Sequence, residues 1–84
     1  MKQKRKTDVR IELYKLIWCS IRFWQNLHDV PDIDLANDLG VGERTLKDYD
    51  QCAKNITLEK LDSFLYLNNM TLEELLGMCC NIHA

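Results

Sequence analysis

Residues 34–50 read DLANDLGVGERTLKDYD, and the fold turns on how this stretch is read. Leu35 and Leu39 are one helical turn apart, and Gly40 follows where a left-handed residue ordinarily ends a helix. After Val41, Gly42 stands as the cap of a second short helix over Glu43–Asp50. Leu35, Leu39, Val41, Leu46 and Tyr49 are spaced to close one shared core, with small Ala36 where the two helices approach. Two helices joined by so short a turn pack at roughly 90–120°, which props the second away from the body. Glu43, Arg44, Thr45, Lys47, Asp48 and Gln51 are then left pointing outward or along the edges.

Working outward, the spacing predicts three more helices. Upstream, Leu13, Ile17, Ile21 and Trp24 recur at helical spacing and define a long first helix from Thr7 to about His28. Asp29-Val30-Pro31 ends it, because proline disfavours helical geometry in the residue before it. Pro31 and Asp32 open the second helix, with Asp32 and Asp34 at its positive end. Downstream, a loop over Gln51–Ile56 leads to Thr57, the cap of a fourth helix whose apolar side is Leu58, Leu61, Phe64 and Leu65. Asn69 stops that helix, and Thr71-Leu72-Glu73-Glu74 is a capping box opening a fifth, which carries Leu72, Leu75 and Leu76. No segment alternates with a strand period, so the expected class is all-α: five helices, the first one extended.

Composition bounds the function. Eighty-four residues make one domain, and 46% hydrophobic with 29% charged residues marks a globular chain. The expected division is a basic arm over 1–6, one domain over 7–80 and a tail over 81–84. No apolar run approaches the roughly 18 residues of a membrane span, and no secretory leader is evident, so the expected location is the cytoplasm. Cys19, Cys52, Cys79 and Cys80 then read as free thiols. Cys79-Cys80 with His83 is too tight and too incomplete for a metal site, so neither a metal nor a cofactor is expected. No Ser-His-Asp or Cys-His order, catalytic carboxylate pair or phosphate-binding glycine loop is present, and no enzyme is expected. His28 reads as a helix-end residue.

The net charge of −2 hides a strong asymmetry. Residues 1–25 carry seven bases against two acids, and residues 26–84 carry four bases against eleven acids. A basic front on an acidic remainder suits an arm, Lys2, Lys4, Arg5 and Lys6, that touches phosphate.

The stretch Asp34–Asp50 resembles the helix-turn-helix of the Cro/repressor family, also called XRE-like, with its lambda-repressor-like fold. The residues that carry the likeness are Leu35-Ala36, Leu39-Gly40-Val41 and then Gly42, Thr45 and Leu46. The resemblance continues in Asn55-Ile-Thr-Leu-Glu-Lys-Leu61, in Asn69-Met-Thr-Leu-Glu-Glu-Leu-Leu76 and upstream in Ile21-Arg22-x-Trp24, covering about residues 17–76. It implies a bacterial or phage DNA-binding transcriptional regulator, of repressor type, whose third helix reads the major groove of double-stranded DNA. By position, Glu43, Arg44, Lys47 and Asp48 would face base edges. Thr45 and Gly42 would lie near phosphate, and Gln51, Lys54 and Asn55 would approach the backbone. Arg44 suits guanine O6/N7 and Glu43 suits cytosine N4.

Departures from the family pattern are Pro31-Asp32, which removes a donor and adds a charge that DNA repels, Asp48 in the reading helix, and Cys52 where glycine is frequent. These acids motivate an alternative, a helix-turn-helix used for protein contact, as in an antirepressor or toxin-binding partner. The first helix also shows Ile11, Tyr14 and Trp18 on a second apolar stripe and Leu16, Phe23 and Leu27 on a third. The second stripe is the expected interface of a homodimer, which would set two reading helices on half-sites about 34–36 Å apart.

Overall fold

The computed structural model describes residues 11–81, with side chains as far as Gly77. Its order is α1 (Leu13–Leu27), α2 (Asp32–Leu39), α3 (Glu43–Gln51), α4 (Leu58–Leu67) and α5 (Leu72–Asn81), all helical. The arm residues Lys2, Lys4, Arg5 and Lys6, and His83 of the tail, lie outside the described residues.

Each helix ends where its own residues make helix costly. His28 closes α1, Asp29 turns left-handed at φ 54°, and the Val30 amide returns to the Gln25 carbonyl at 3.0 Å. Pro31 precedes α2, and Gly40 ends it at φ 74°, with the Val41 amide donating to the Ala36 carbonyl at 3.0 Å. That bond satisfies an orphan carbonyl of the last turn and fixes the exit direction. Gly42, with extended backbone, stands before α3. The Thr57 hydroxyl accepts from the Lys60 amide at 3.2 Å, and Asn69 reverses the chain after α4 at φ 52°. In the capping box, Thr71 Oγ1 accepts from the Glu74 amide at 3.1 Å while Glu74 Oε1 accepts from the Thr71 amide at 2.9 Å. Two orphan donors are satisfied reciprocally.

The packing is α1 on α5, and α2 on both α3 and α4. Ile17, Trp18 and Ile21 of α1 join Leu35, Ala36, Leu39, Leu46, Tyr49, Ala53, Leu61, Phe64 and Leu75 in one core. Full burial of each such Leu or Phe contributes about 1.5–3 kcal/mol. Trp24 meets Phe64 edge-on at 5.0 Å, and Trp18 meets Tyr49 at 5.1 Å. The Ser63 hydroxyl donates to the Asp38 carbonyl and the Asn68 amide to the Asp38 carboxylate, both at 3.0 Å, tying α4 to the end of α2.

Three expectations are corrected here. The first helix does not start at Thr7: Ile11 and Glu12 are non-helical, and α1 begins at Leu13. Leu13 and Leu58, expected inside, are 55% and 79% exposed, because each sits in the first turn of its helix, beyond the reach of the packed neighbours. Trp18 is only 4% exposed. It is a core residue under α3 and is not available to a second copy, so the proposed stripe loses its largest member.

Candidate nucleic-acid interface

The α2–α3 pair is built from inside out. Leu46 is fully buried and Tyr49 is 6% exposed, and burial holds the Tyr49 phenol above its ordinary pKa. With those two inward, the helical period turns Glu43, Arg44, Lys47, Asp48 and Gln51 to solvent, and all five are exposed. Gly42, Lys54 and Asn55 are exposed as well, while Thr45 is half-buried, its amide bonded to the Gly42 carbonyl at 3.0 Å. The structure therefore brings the sequence-predicted residues of α3 onto one outward side, with Lys54 and Asn55 in the loop that leaves it. Gly42 supplies no side-chain cap, so the first amides of α3 keep free donors at the positive end of the helix.

A bridge beneath α3 was not foreseen. Arg22 of α1 donates from Nε and Nη2 to the two Asp50 oxygens at 3.0 and 2.9 Å, a two-pronged pair. Its Nη1 donates to Asp32 Oδ1 at 3.0 Å and to Gln25 Oε1 at 2.6 Å. Gln25 Nε2 in turn donates to Asp32 Oδ1 at 2.7 Å and to the Val30 carbonyl at 3.0 Å. Trp18 Nε1 donates to Asp50 Oδ1 at 2.8 Å, and the guanidinium carbon lies 5.2 Å from the Trp18 ring centre. One arginine on α1 thus fastens the start of α2 and the end of α3 together. The Gln25 amide and then Arg22 hold the Asp32 carboxyl below the ordinary carboxylate range. Arg22, followed by the Trp18 indole, does the same for Asp50, and both acids raise Arg22.

This bridge changes the electrostatic reading of the motif. Asp32 and Asp50 are both tied back to α1. The outward residues of α3 are then two bases, Arg44 and Lys47, against two acids, Glu43 and Asp48, and Lys54 tips the surface to one net positive charge. The only sequence sign of the bridge was Arg22-x-x-Gln25, an i, i+3 pair; its partners lie ten and twenty-eight residues further on.

Of the residues assigned to a dimer, Ile11 is 58% exposed and Tyr14 is half-buried. The Glu12 carboxylate beside Tyr14 raises its phenol. Tyr14, Trp18, Cys19, Asp50 and Cys52 line an open cleft of about 370 Å³ at the α3 exit, and Cys19 and Cys52 are free thiols. Among the described residues no three metal-ligating side chains cluster, and no helix is long and apolar enough to cross a membrane. No family model, curated protein or solved structure matches the chain.

Proposed function

We propose that the chain is a sequence-specific DNA-binding regulator of the Cro/repressor type, with a lambda-repressor-like arrangement of its five helices. Helix α3 enters the major groove, which is about 12 Å wide. Arg44 and Lys47 meet base edges, joined by Glu43 and Asp48. Gly42, Thr45, Gln51, Lys54 and Asn55 approach the backbone, and the arm residues Lys2, Lys4, Arg5 and Lys6 add phosphate contacts. The observation that carries this reading is the outward Arg44 and Lys47, unpaired among the described residues, on a helix whose inner side is locked by Leu46, Tyr49 and the Asp50–Arg22 pair. Two copies acting together fit a palindromic site, and Ile11 with Tyr14 remain the residues assigned to that contact.

The test is binding to a duplex from its own promoter region and to a random duplex across a salt series. Each phosphate neutralised contributes about −0.9 to the log–log slope, so affinity is expected to fall steeply with salt. Arg44→Ala is expected to lower the ratio of cognate to random affinity by about 1–3 kcal/mol in free energy. An unchanged ratio in that variant refutes the assignment of α3 as the reading helix.

A second reading rests on charge. Residues 26–84 are strongly acidic, and α3 itself carries Glu43, Asp48 and Asp50. On this reading the fold serves protein contact, as an antirepressor or toxin-binding partner, and neither duplex is retained at about 50 mM salt.

A further inference from the structure

The cleft at the α3 exit holds two nucleophiles that the DNA-binding reading does not use. Cys19 on α1 and Cys52, the residue after α3, are both exposed free thiols, and both line the same space of about 370 Å³. Tyr14 and Trp18, one turn apart on α1, line it too, together with Tyr49 of α3. Trp18 and Tyr49 meet edge-on and are almost wholly buried, so they form its floor. The lining as a whole is mostly apolar.

Shape, charge and reactivity decide what such a cleft takes. Small-molecule sites run from about 300 to 1,000 Å³, so this one suits a body of one or two rings. The charged residues of the lining are Lys15 and Asp50, one of each sign, and Asp50 is already held by Arg22 and the Trp18 indole. An ionic ligand meets no net charge there, whereas an uncharged one gains by leaving water for an apolar lining. The aromatic floor favours a flat ligand. Glu12 first, then burial, with a smaller part from Cys52, raise the Tyr14 phenol above its ordinary pKa. It therefore stays protonated near neutral pH, a donor for a carbonyl oxygen. The two thiols favour an electrophilic carbon, because a thiolate is a strong nucleophile.

We propose that this cleft binds a neutral quinone of one or two rings and that Cys19 or Cys52 captures it covalently. The sulfur forms a bond to a ring C–H carbon, and the electron pair passes through the ring to a carbonyl oxygen. The thiol's proton and the proton displaced from that carbon end on the two oxygens. The product is a hydroquinone thioether, and no further oxidant or reductant is consumed. Gln51 lines the same cleft, so the adduct lies at the end of α3. If α3 reads DNA as proposed above, capture weakens duplex binding; this consequence alone rests on that reading.

The probe is 1,4-naphthoquinone, added to the full chain in oxygen-free buffer, with adducts located by peptide mass spectrometry. The folded chain is expected to be labelled at Cys19 or Cys52 before Cys79 and Cys80. The rate should saturate as probe concentration rises, and at low probe it should exceed that of the urea-unfolded chain by about tenfold or more. Tyr14→Phe should slow this labelling several-fold while leaving reaction with iodoacetamide unchanged, and C19S/C52S should lose the saturating phase. A rate that stays proportional to probe concentration, equal labelling of folded and unfolded chain, or earlier labelling of Cys79 or Cys80 overturns the proposal. Saturable capture that leaves duplex binding unchanged upholds the site and refutes its bearing on α3. Absence of duplex binding by the unmodified chain refutes the DNA reading and leaves the capture standing.

Discussion

Removing the Asp50 carboxylate is the most informative perturbation of the α1–α2–α3 bridge. Asp50→Ala strips α3 of two bonds from Arg22 and leaves the Trp18 indole N–H, on a residue 4% exposed, without its acceptor. A hydrogen bond to a charged group contributes about 1.5–3 kcal/mol in mutational series. The Asp50 side chain is 45% exposed, however, so solvent screening reduces the ion pair towards the roughly 0.2–1 kcal/mol of exposed pairs. The stranded indole donor costs about 1–3 kcal/mol more. Together these give a loss of about 1–4 kcal/mol, a fall on the order of 10 °C in Tm for a domain of this size. Asp50→Asn keeps an acceptor for the indole and should cost about 0.5–1 kcal/mol. The assay is urea unfolding followed by tryptophan fluorescence, with Arg22→Met, Asp50→Asn and the double variant closing a cycle. A coupling of about 0.5–1 kcal/mol is expected for groups in direct contact. A wild-type midpoint for Asp50→Ala, or no coupling in the cycle, refutes the claim that this bridge fastens α3.

Four further outcomes follow from the same geometry. Asp32 and Asp50 both titrate below the ordinary carboxylate pKa when folded, so their contribution is complete above about pH 4 and lost as pH falls through the folded values; acid unfolding of Asp50→Asn should therefore show a shallower pH dependence than wild type. Gly40→Ala should cost about 1 kcal/mol through its left-handed φ of 74° alone, since an added Cβ meets no atom within 4 Å, and Gly40→Asn should cost less by thermal melting. Thr71→Ala should remove about 1 kcal/mol of stability by breaking the capping box, read as a lower urea midpoint with an unchanged slope. The Ser20 hydroxyl is fully buried with no hydrogen-bond partner among the described residues, so Ser20→Ala should match or exceed wild-type stability by up to about 1 kcal/mol; a clear loss would mean that the hydroxyl is satisfied.

What could be read from the sequence was what is local. Gly40, Gly42, Thr57, Asn69 and the Thr71–Glu74 box mark helix ends because each satisfies or frees backbone groups within four residues of itself, and the structure uses each of them there. The outward set of α3 followed from the inward Leu46 and Tyr49 by helical period alone. What escaped was set by partners distant along the chain. The spacing of Leu13, Ile17, Ile21 and Trp24 suggested one buried face of α1, yet the buried set is Ile17, Trp18, Ser20, Ile21 and Gln25. The helix lies between α5 on one flank and the end of α3 on another, so its buried side is broader and rotated. Asp32 looked repulsive to a phosphate backbone because its charge was counted without Arg22, and no spacing rule joins Arg22 to Asp32, ten positions on, or to Asp50, twenty-eight positions on.

The pairing of α1 with α5 also has a kinetic consequence. Most of this chain's helices can form from nearby residues, which favours rapid folding, but the core around Ile17 and Ile21 closes only when Leu75 arrives. A ribosome adding about 5–20 residues per second needs about one to five seconds to pass from Gln51 to Leu75. For that interval the α2–α3 hairpin is already synthesised while the last wall of its scaffold is missing. Until Leu75 is available, the first helix, with Trp18 and Trp24, lacks that wall of its core.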